Sequence, residues 1–422
     1  MNTFFLQVIR NTALALMFSL TAMSSAAHRV SANGQFSLLT CTPGPDLYSL
    51  FGHSAIRFQD SLGGRWVDVV YNYGTFIFDE DFYVKFARGK LDYVLSLETF
   101  ANFQIEYIQT GRGIYEQILN LSEEEKQKLL DLLEENTQPE NRTYRYDFFY
   151  DNCSSRIRDM IIRATAVGGK DQLGYRAPDT SAIRLMNRID FTYVYSGKPT
   201  YRQAIQKYLN FQPWSDFGID LALGLPCDRE VVDMGFMFLP DSLMKDFHYA
   251  VLGENALTGP DIELMPQEYE PFADGFFTPV VVMMLVLVLH VAVSFFFWKR
   301  GVSVILTDRI LFFAIGMLGL LVTFLWFFTD HQATKWNFNL LWANPLFLVL
   351  AFLPVKIIGG KFRMWISAFF VILTSTLVLW FVLPQRMHLA AIPLTLALIF
   401  SMIKILRPLL LSKGAQYDIK QK

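Results

Sequence analysis

Cysteine is nearly absent from this chain: three residues in 422, an odd number, so no disulfide framework can hold the fold together. Histidine is scarce as well. The six that occur show no His-x-x-x-His spacing, and the cysteines no Cys-x-x-Cys, so the sequence offers no metal site and calls for no cofactor. Glycine-rich phosphate loops are missing, and Gly52-His53-Ser54-Ala55-Ile56 does not complete the Gly-x-Ser-x-Gly elbow of a serine hydrolase. Charge is sparse at 18% while hydrophobic residues reach 52%, a mixture that excludes both a disordered protein and a single soluble core. Acidic residues are rarest toward the C-terminus: residues 276–422 hold 3 Asp/Glu against 13 Lys/Arg, leaving 36 against 24 in residues 1–275. The first part is therefore net acidic and repels phosphates, which argues against nucleic acid as a partner.

What is present divides the chain into four stretches. Arg10, an apolar run from Thr12 to Met23, and the small residues Ser24 to Ala27 read as a secretory signal, residues 1–27. Residues 28–253 read as a mixed α+β exported domain. Short β-rich runs fall at Gln35–Cys41, His53–Phe58 and Trp66–Tyr73, and Ser122 with Glu125 forms a capping box before a helical run ending near Asn136. A further helix is expected near Cys153, and Ala204–Leu225 and Val231–Leu252 are largely helical in pattern with breaks at Pro213 and Pro226. Residues 254–275, acidic and proline-bearing, suit a linker. The remainder, 276–422, contains five apolar segments: Phe276–Trp298, Ile310–Phe328, Leu340–Val355, Met364–Leu383 and Leu389–Leu406. The first is uncharged through 23 residues, enough to cross a hydrocarbon core that needs ~20. Lys299, Arg300, Arg309, Lys356, Lys361, Arg363, Lys404 and Arg407 fall at alternate ends of these segments, which makes those ends cytoplasmic and places the acidic domain and the Thr329–Asn339 loop together on the exported side.

Within the exported domain one pair of residues has the chemistry of a nucleophilic site. Asn152 is a plausible N-cap, putting Cys153 in the first turn of a helix, where the helix terminus favours a thiolate. His53 opens a strand directly after Gly52. A thiol and an imidazole so placed are the two working parts of a thiol acyl-transfer site, here in the reverse of papain's order, as in circularly permuted, NlpC-like relatives of that fold. On the strand Trp66–Tyr73, period-two alternation puts Asp68 and Asn72 on one face, and either could orient the imidazole. Cys41 and Cys227 could be bridged, leaving Cys153 free. In the apolar half, His331, Asn337, Asn339 and Asn344 concentrate polar groups at the exported interface; the Asn344 amide is costly within an apolar run unless paired, which makes these four candidate headgroup or substrate contacts.

These motifs carry a resemblance. Leu39-Thr40-Cys41-Thr42-Pro43-Gly44, Leu50-Phe51-Gly52-His53-Ser54-Ala55, Val70-Tyr71-Asn72-Tyr73-Gly74-Thr75-Phe76 and Tyr150-Asp151-Asn152-Cys153-Ser154-Ser155-Arg156 resemble the Lnb-type bacterial lipoprotein N-acyltransferases, as do the His331 loop and the stretch from Asn337 to Pro345. Ser155 stands where that pattern has Thr. The resemblance implies an inner-membrane, multi-pass protein whose periplasmic domain carries the Cys153/His53 pair. It implies acyl transfer from a membrane phospholipid, through a thioester, to the α-amino group of the diacylglyceryl-cysteine of an apolipoprotein. Two other readings remain at this point: a membrane-tethered papain-like amidase or peptidase acting on cell-wall peptide, and a non-catalytic membrane scaffold.

Overall fold

The structure is a computed structural model that describes residues 29–62, 64–76, 80–166, 189–190, 199–231, 233–270, 275–300, 306–353 and 362–420. The signal segment, residues 1–27, lies outside the described residues.

A seven-stranded antiparallel sheet forms the N-terminal domain: β1 (Gln35–Cys41), β2 (His53–Leu62), β3 (Arg65–Phe76), β4 (Asp92–Thr99), β5 (Ile114–Ile118), β6 (Thr143–Arg145) and β10 (Ile262–Met265), in the order β10-β5-β1-β2-β3-β4-β6. Strict alternation gives it two buried faces. Phe36, Leu38, Ile56, Phe58, Tyr71 and Tyr73 pack under α3 (Glu123–Thr137) and α4 (Cys153–Thr165), meeting Leu129, Leu133, Ile157 and Ile161. Leu39, Ala55 and Val70 point the other way, under Phe103 and Tyr107 of α2 (Phe100–Thr110). The Ser122/Glu125 capping box is formed as the sequence indicates. A short helix, α1 (Phe82–Ala87), interrupts the path from β3 to β4.

Two expectations need correction. The stretch read as a linker contributes β10, which pairs with β5 at the sheet edge; Ile262-Glu263-Leu264-Met265 is too short to show a period of its own, and the acidic, proline-bearing flanks conceal it in composition. The run Val231–Leu252 is not one helix but a 3-10 turn (Asp233–Phe238), α7 (Pro240–Tyr249) and the central strand of a small sheet made of β7 (Ile189–Asp190), β8 (Val251–Leu252) and β9 (Asn255–Ala256). Proline sets two of the helix starts: Pro213 opens α6 (Pro213–Ala222) after α5 (Tyr201–Leu209), and Pro240 opens α7.

The C-terminal region is helical and apolar. Helices α8 (Pro279–Trp298) and α9 (Leu306–Phe327) are long and apolar enough to cross a bilayer, and α11 (Arg363–Val378) and α12 (Ala391–Lys420) carry shorter apolar stretches. The third apolar segment is not a continuous helix. It runs as a 3-10 turn (Phe338–Leu341), an irregular Trp342–Leu346 and a six-residue α10 (Phe347–Phe352). It nevertheless follows α9 along most of its length, because Thr334 bonds the Leu325 carbonyl near one end while Arg309 bonds the carbonyls of Ala351 and Leu353 near the other. Gly316 and Gly319 make this possible: a Cβ on Gly319 would lie 2.5 Å from the Pro345 nitrogen, and one on Gly316 would lie 2.7 Å from the Leu348 nitrogen. Small residues admit close backbone approach where lipid offers no hydrophobic drive for association.

Lys404, counted above as a cytoplasmic-end charge, is buried in the helical region 2.7 Å from Asp308, which precedes Arg309 in the first turn of α9.

Candidate active site

Gly52 ends the loop into β2 with φ +78°, and a Cβ there would lie 2.6 Å from the Cys41 carbonyl, so the residue before His53 must be glycine. On the other side, Asn152 caps α4 with its side chain on the Ser155 N–H, and the Ser155 hydroxyl returns to the Asn152 N–H. This reciprocal box needs only a hydroxyl at position 155, so serine serves. Cys153 is thereby fixed as the first residue of the helix. Ser54 and Ser154, joined hydroxyl to hydroxyl at 2.9 Å in a fully buried contact, tie the strand to the helix immediately beneath the pair.

Cys153 and His53 face one another across Gly74, which adopts φ +94° where the β3–β4 register shifts between Asn72 and Thr75. A Cβ built on Gly74 would sit 3.6 Å from both the Cys153 Cβ and the His53 Cε1, so the bulge forms the floor of the pair. The His53 Nε2 donates to Asn72 Oδ1 at 2.7 Å, which leaves Nδ1 for the thiol. Asn72 Nδ2 in turn donates to Glu98 Oε1 at 2.9 Å, and that contact fixes which end of the amide faces the ring.

The electrostatics follow from the geometry. Burial pushes the Cys153 thiol up, but the charge and hydrogen bond of His53, the backbone of Ser54 and the Ser154 hydroxyl outweigh it, and the thiol lies below its ordinary value of 9.0. Burial pulls His53 down, while the Cys153 charge and the hydrogen bonds from Cys153 and Asn72 outweigh it, so the imidazole lies above its ordinary 6.5. In these opposite shifts each group favours the charged form of the other. Among the described residues the N–H groups of Cys153 and Ser154 have no protein acceptor, as the first turn of a helix dictates, and both remain available to an anion.

Of the two orienter candidates, the structure brings Asn72 to His53 and takes Asp68 elsewhere. Asp68 is held by Arg57 through two bonds, at 2.7 and 2.6 Å, and Arg57 also pairs with Glu116. The register explains the difference: Asp68 lies opposite Gln59, well along β2 from His53. Glu98, Gly74 and Ser154 were not among the residues singled out by sequence; Glu98 lies on the neighbouring strand, opposite Val70, and nothing local marks it.

The three cysteines are all free. Cys41 is buried on the α2 face and Cys227 is buried against the Ala333 carbonyl, so the suggested bridge between them does not exist. Burial pushes both thiols up to about 12, which leaves Cys153 the acidic one.

Of His331, Asn337, Asn339 and Asn344, the first three join the helical region to the N-terminal domain. The last carbonyls of α6 have no helical partner: Asn339 donates to those of Asp220 and Leu221, Asn337 to those of Leu221 and Ala222, and Gln385 to that of Leu223. Asn337 and Asn339 are almost wholly buried in these contacts. Asn344 bonds locally, donating to Leu340 and accepting from Leu346. His331 donates from Nε2 to the Phe86 carbonyl at 3.1 Å and packs over Gly89. The side-chain amides of Asn337 and Asn339 thus cap a helix and fasten the N-terminal domain to the helical region, while that of Asn344 is engaged within its own segment.

A cavity of about 1390 Å³ opens at this junction, lined by Tyr144, Asp151 and Arg156 on one side and by Gln332, Lys335 and Trp336 on the other. Among the described residues no cluster of His, Cys, Asp or Glu is arranged to hold a metal ion.

Comparison with known proteins agrees with this two-part construction. No curated protein and no solved structure gave a match. Two family models match: the Lnb N-terminal periplasmic domain over residues 28–187, and the Lnb transmembrane domain over residues 271–411. Together they span more than two thirds of the chain, in the order and at the places where the sheet domain and the apolar helices lie. A periplasmic α+β domain docked on apolar membrane helices, matched in both halves, means that the chain belongs to the Lnb family and has the architecture of the Lnb-type lipoprotein N-acyltransferases.

Proposed function

We propose that this protein is a lipoprotein N-acyltransferase of the inner membrane that moves an acyl chain from a phospholipid to the α-amino group of a diacylglyceryl-cysteine by way of a thioester on Cys153. The observation that carries the reading is the Cys153–His53–Asn72 arrangement in a domain fastened to membrane helices. A low thiol beside a raised imidazole is a nucleophile prepared before substrate arrives, and membrane attachment places it where acyl esters are abundant. The order of His53 on a strand before Cys153 on a helix supports a circularly permuted papain-like relationship, and the five apolar segments support a bundle of about five helices.

In this mechanism the Cys153 thiolate attacks the ester carbonyl carbon, and the developing oxyanion is received by the N–H groups at the start of α4. Collapse breaks the bond to the glycerol oxygen, His53 protonates that oxygen, and a lysophospholipid leaves while the acyl group remains on sulfur. The neutral His53 then takes a proton from the incoming α-amine, which attacks the thioester carbonyl; the C–S bond breaks, the amide forms and the thiolate is restored. Asn72, itself held by Glu98, keeps the ring in position throughout.

Incubation of the purified protein with acyl-labelled phospholipid and no acceptor is expected to leave label on Cys153 that hydroxylamine removes. Addition of a diacylglyceryl peptide should move it to the peptide's N-terminus, as read by mass spectrometry. Cys153→Ala should abolish both steps and His53→Ala should slow them by ~10²-fold or more. Unaltered transfer by Cys153→Ala sinks this reading, and hydrolysis of cell-wall peptide in its place would identify an amidase.

A further inference from the structure

The chain leaves the active site toward the membrane. From Gly74, at the floor of the Cys153/His53 pair, β3 continues to Phe76, whose ring packs on Tyr93 at 5.5 Å. Tyr93 stacks on Tyr146 at 4.1 Å, and both pack with Cys153 against the domain core. An aromatic wall therefore runs from the thiol to the end of β3, beyond which lies α1.

Helix α1 is locked to the membrane region. Asp330 N–H donates to the carbonyl of Arg88, the residue after α1, at 2.9 Å, and His331 Nε2 donates to that of Phe86, which also accepts the Gly89 N–H. Asp330 also lies 3.9 Å from Lys90 and 3.7 Å from Arg145. Against this fixed helix, α9 and the residue following it present Phe324 and Phe328, and between them is a groove of about 560 Å³ lined by Val84, Ala87, Arg88, Phe324 and Phe328. That volume lies within the ~300–1,000 Å³ typical of small-ligand sites.

Two features identify the occupant. The groove adjoins the end of a membrane-spanning helix, and its surroundings are apolar and outward-facing: Val84, Phe86, Phe327 and Phe328 are each more than half exposed, an arrangement suited to lipid and costly in water. Among the described residues, Arg88 is the one charged group lining the groove; it is exposed and makes no side-chain hydrogen bond or ion pair there. An unpaired guanidinium beside an apolar slot at a bilayer surface is complementary to a phosphodiester carrying an acyl chain.

We propose that the groove between α1 and the outer end of α9 seats one acyl chain of a glycerophospholipid, with Arg88 holding the phosphate, and that this is the donor lipid's place of entry to Cys153. The route to Cys153 rests on the acyl-transfer reading; occupancy of the groove does not.

The test uses the full chain in nanodiscs of phosphatidylethanolamine and phosphatidylglycerol, doped with phosphatidylglycerol whose acyl chain carries a diazirine. After irradiation, adducts are mapped by mass spectrometry. They are expected to concentrate on peptides containing Val84–Arg88 and Phe324–Phe328, above the level on the exposed Phe381 and Val382, which stand for ordinary lipid contact. Ala87→Trp, filling the slot from an exposed position, and Arg88→Glu, reversing the charge, should each lower the groove adducts about tenfold, roughly the loss of one good contact, and leave those at Phe381 and Val382 unchanged. Arg88→Lys should restore most of the yield. Equal labelling of all lipid-facing segments, or groove labelling indifferent to both variants, overturns the proposal. Because adduct formation needs no catalysis, Cys153→Ala should label as the parent protein does. Normal groove labelling without any acyl-enzyme would therefore condemn the acyl-transfer reading while leaving the lipid site standing. Where acylation of Cys153 is measured as well, Ala87→Trp should raise the KM for phospholipid about tenfold and leave acylation by a short soluble thioester unchanged.

Discussion

Glu98, Asn72, His53 and Cys153 form a chain of contacts: Glu98 accepts from the Asn72 amide, Asn72 from the His53 ring, and the imidazole meets the thiol. Alkylation of the folded protein by iodoacetamide reads this chain directly. Each group's charge favours the charged form of the other, so the thiolate appears through a value below 9.0 and the imidazolium is lost through one above the ordinary 6.5. The alkylation midpoint of Cys153 is expected below 9.0, with Cys41 and Cys227 unreactive throughout because burial holds them near 12. Asn72→Ala should move the midpoint upward by about one pH unit, the worth of a hydrogen bond to a charged group, and Glu98→Ala should move it less in the same direction. A midpoint indifferent to Asn72→Ala would deny the amide its orienting role. The Cys153/His53 pair was legible in the sequence because residue type and local position, helix start and strand start, carry its chemistry. The third member was not. Asp68 and Asn72 share a face by alternation, and only the pairing of β2 with β3, which sets Asp68 opposite Gln59, separates them.

At the scale of elements, Asn337 and Asn339 show why a polar residue beside an apolar run is hard to read from its own segment: their amides donate to the carbonyls ending α6, more than a hundred residues earlier in the chain. A lone segment cannot announce that it caps a helix elsewhere. Asn337→Ala removes the donor to the Ala222 carbonyl and Asn339→Ala leaves the buried Trp342 N–H without its acceptor, so each should cost about 1–3 kcal/mol in the docking of the two regions. The expected readout is faster proteolysis near the 331–336 loop and earlier thermal unfolding in detergent, with the Cys153 alkylation midpoint unchanged. A shift of that midpoint instead would mean that the asparagines act on the site. The edge strand β10 escaped notice for a related reason: four residues are too short a run to outweigh the proline and acidic residues around them.

On the scale of the whole molecule, the helical region is joined by a buried polar cluster in which α8, α9 and α12 each contribute. Lys404 donates to both oxygens of Asp308, at 2.7 and 2.8 Å, and to the Ser294 hydroxyl at 3.0 Å. Ser401 donates to Asp308 at 2.7 Å and accepts from the His290 Nε2 at 2.9 Å. All five side chains are buried, and every bond except that of Ser401 to His290 ends at either Asp308 or Lys404, so the cluster depends on that one ion pair. Removing a single partner leaves an unbalanced charge in surroundings that cannot solvate it, at a cost of ~3–5 kcal/mol. Asp308→Asn or Lys404→Met should therefore lower the unfolding temperature of the purified protein sharply, and the double replacement Asp308→Leu with Lys404→Met should recover most of the loss, since an apolar pair of similar volume removes the charge problem altogether. The three variants differ in what they leave behind, so their order is diagnostic. If the double variant is no more stable than either single one, the cluster's value lies in its hydrogen bonds to Ser294, Ser401 and His290, and the three helices are held by polar pairing that apolar packing cannot replace.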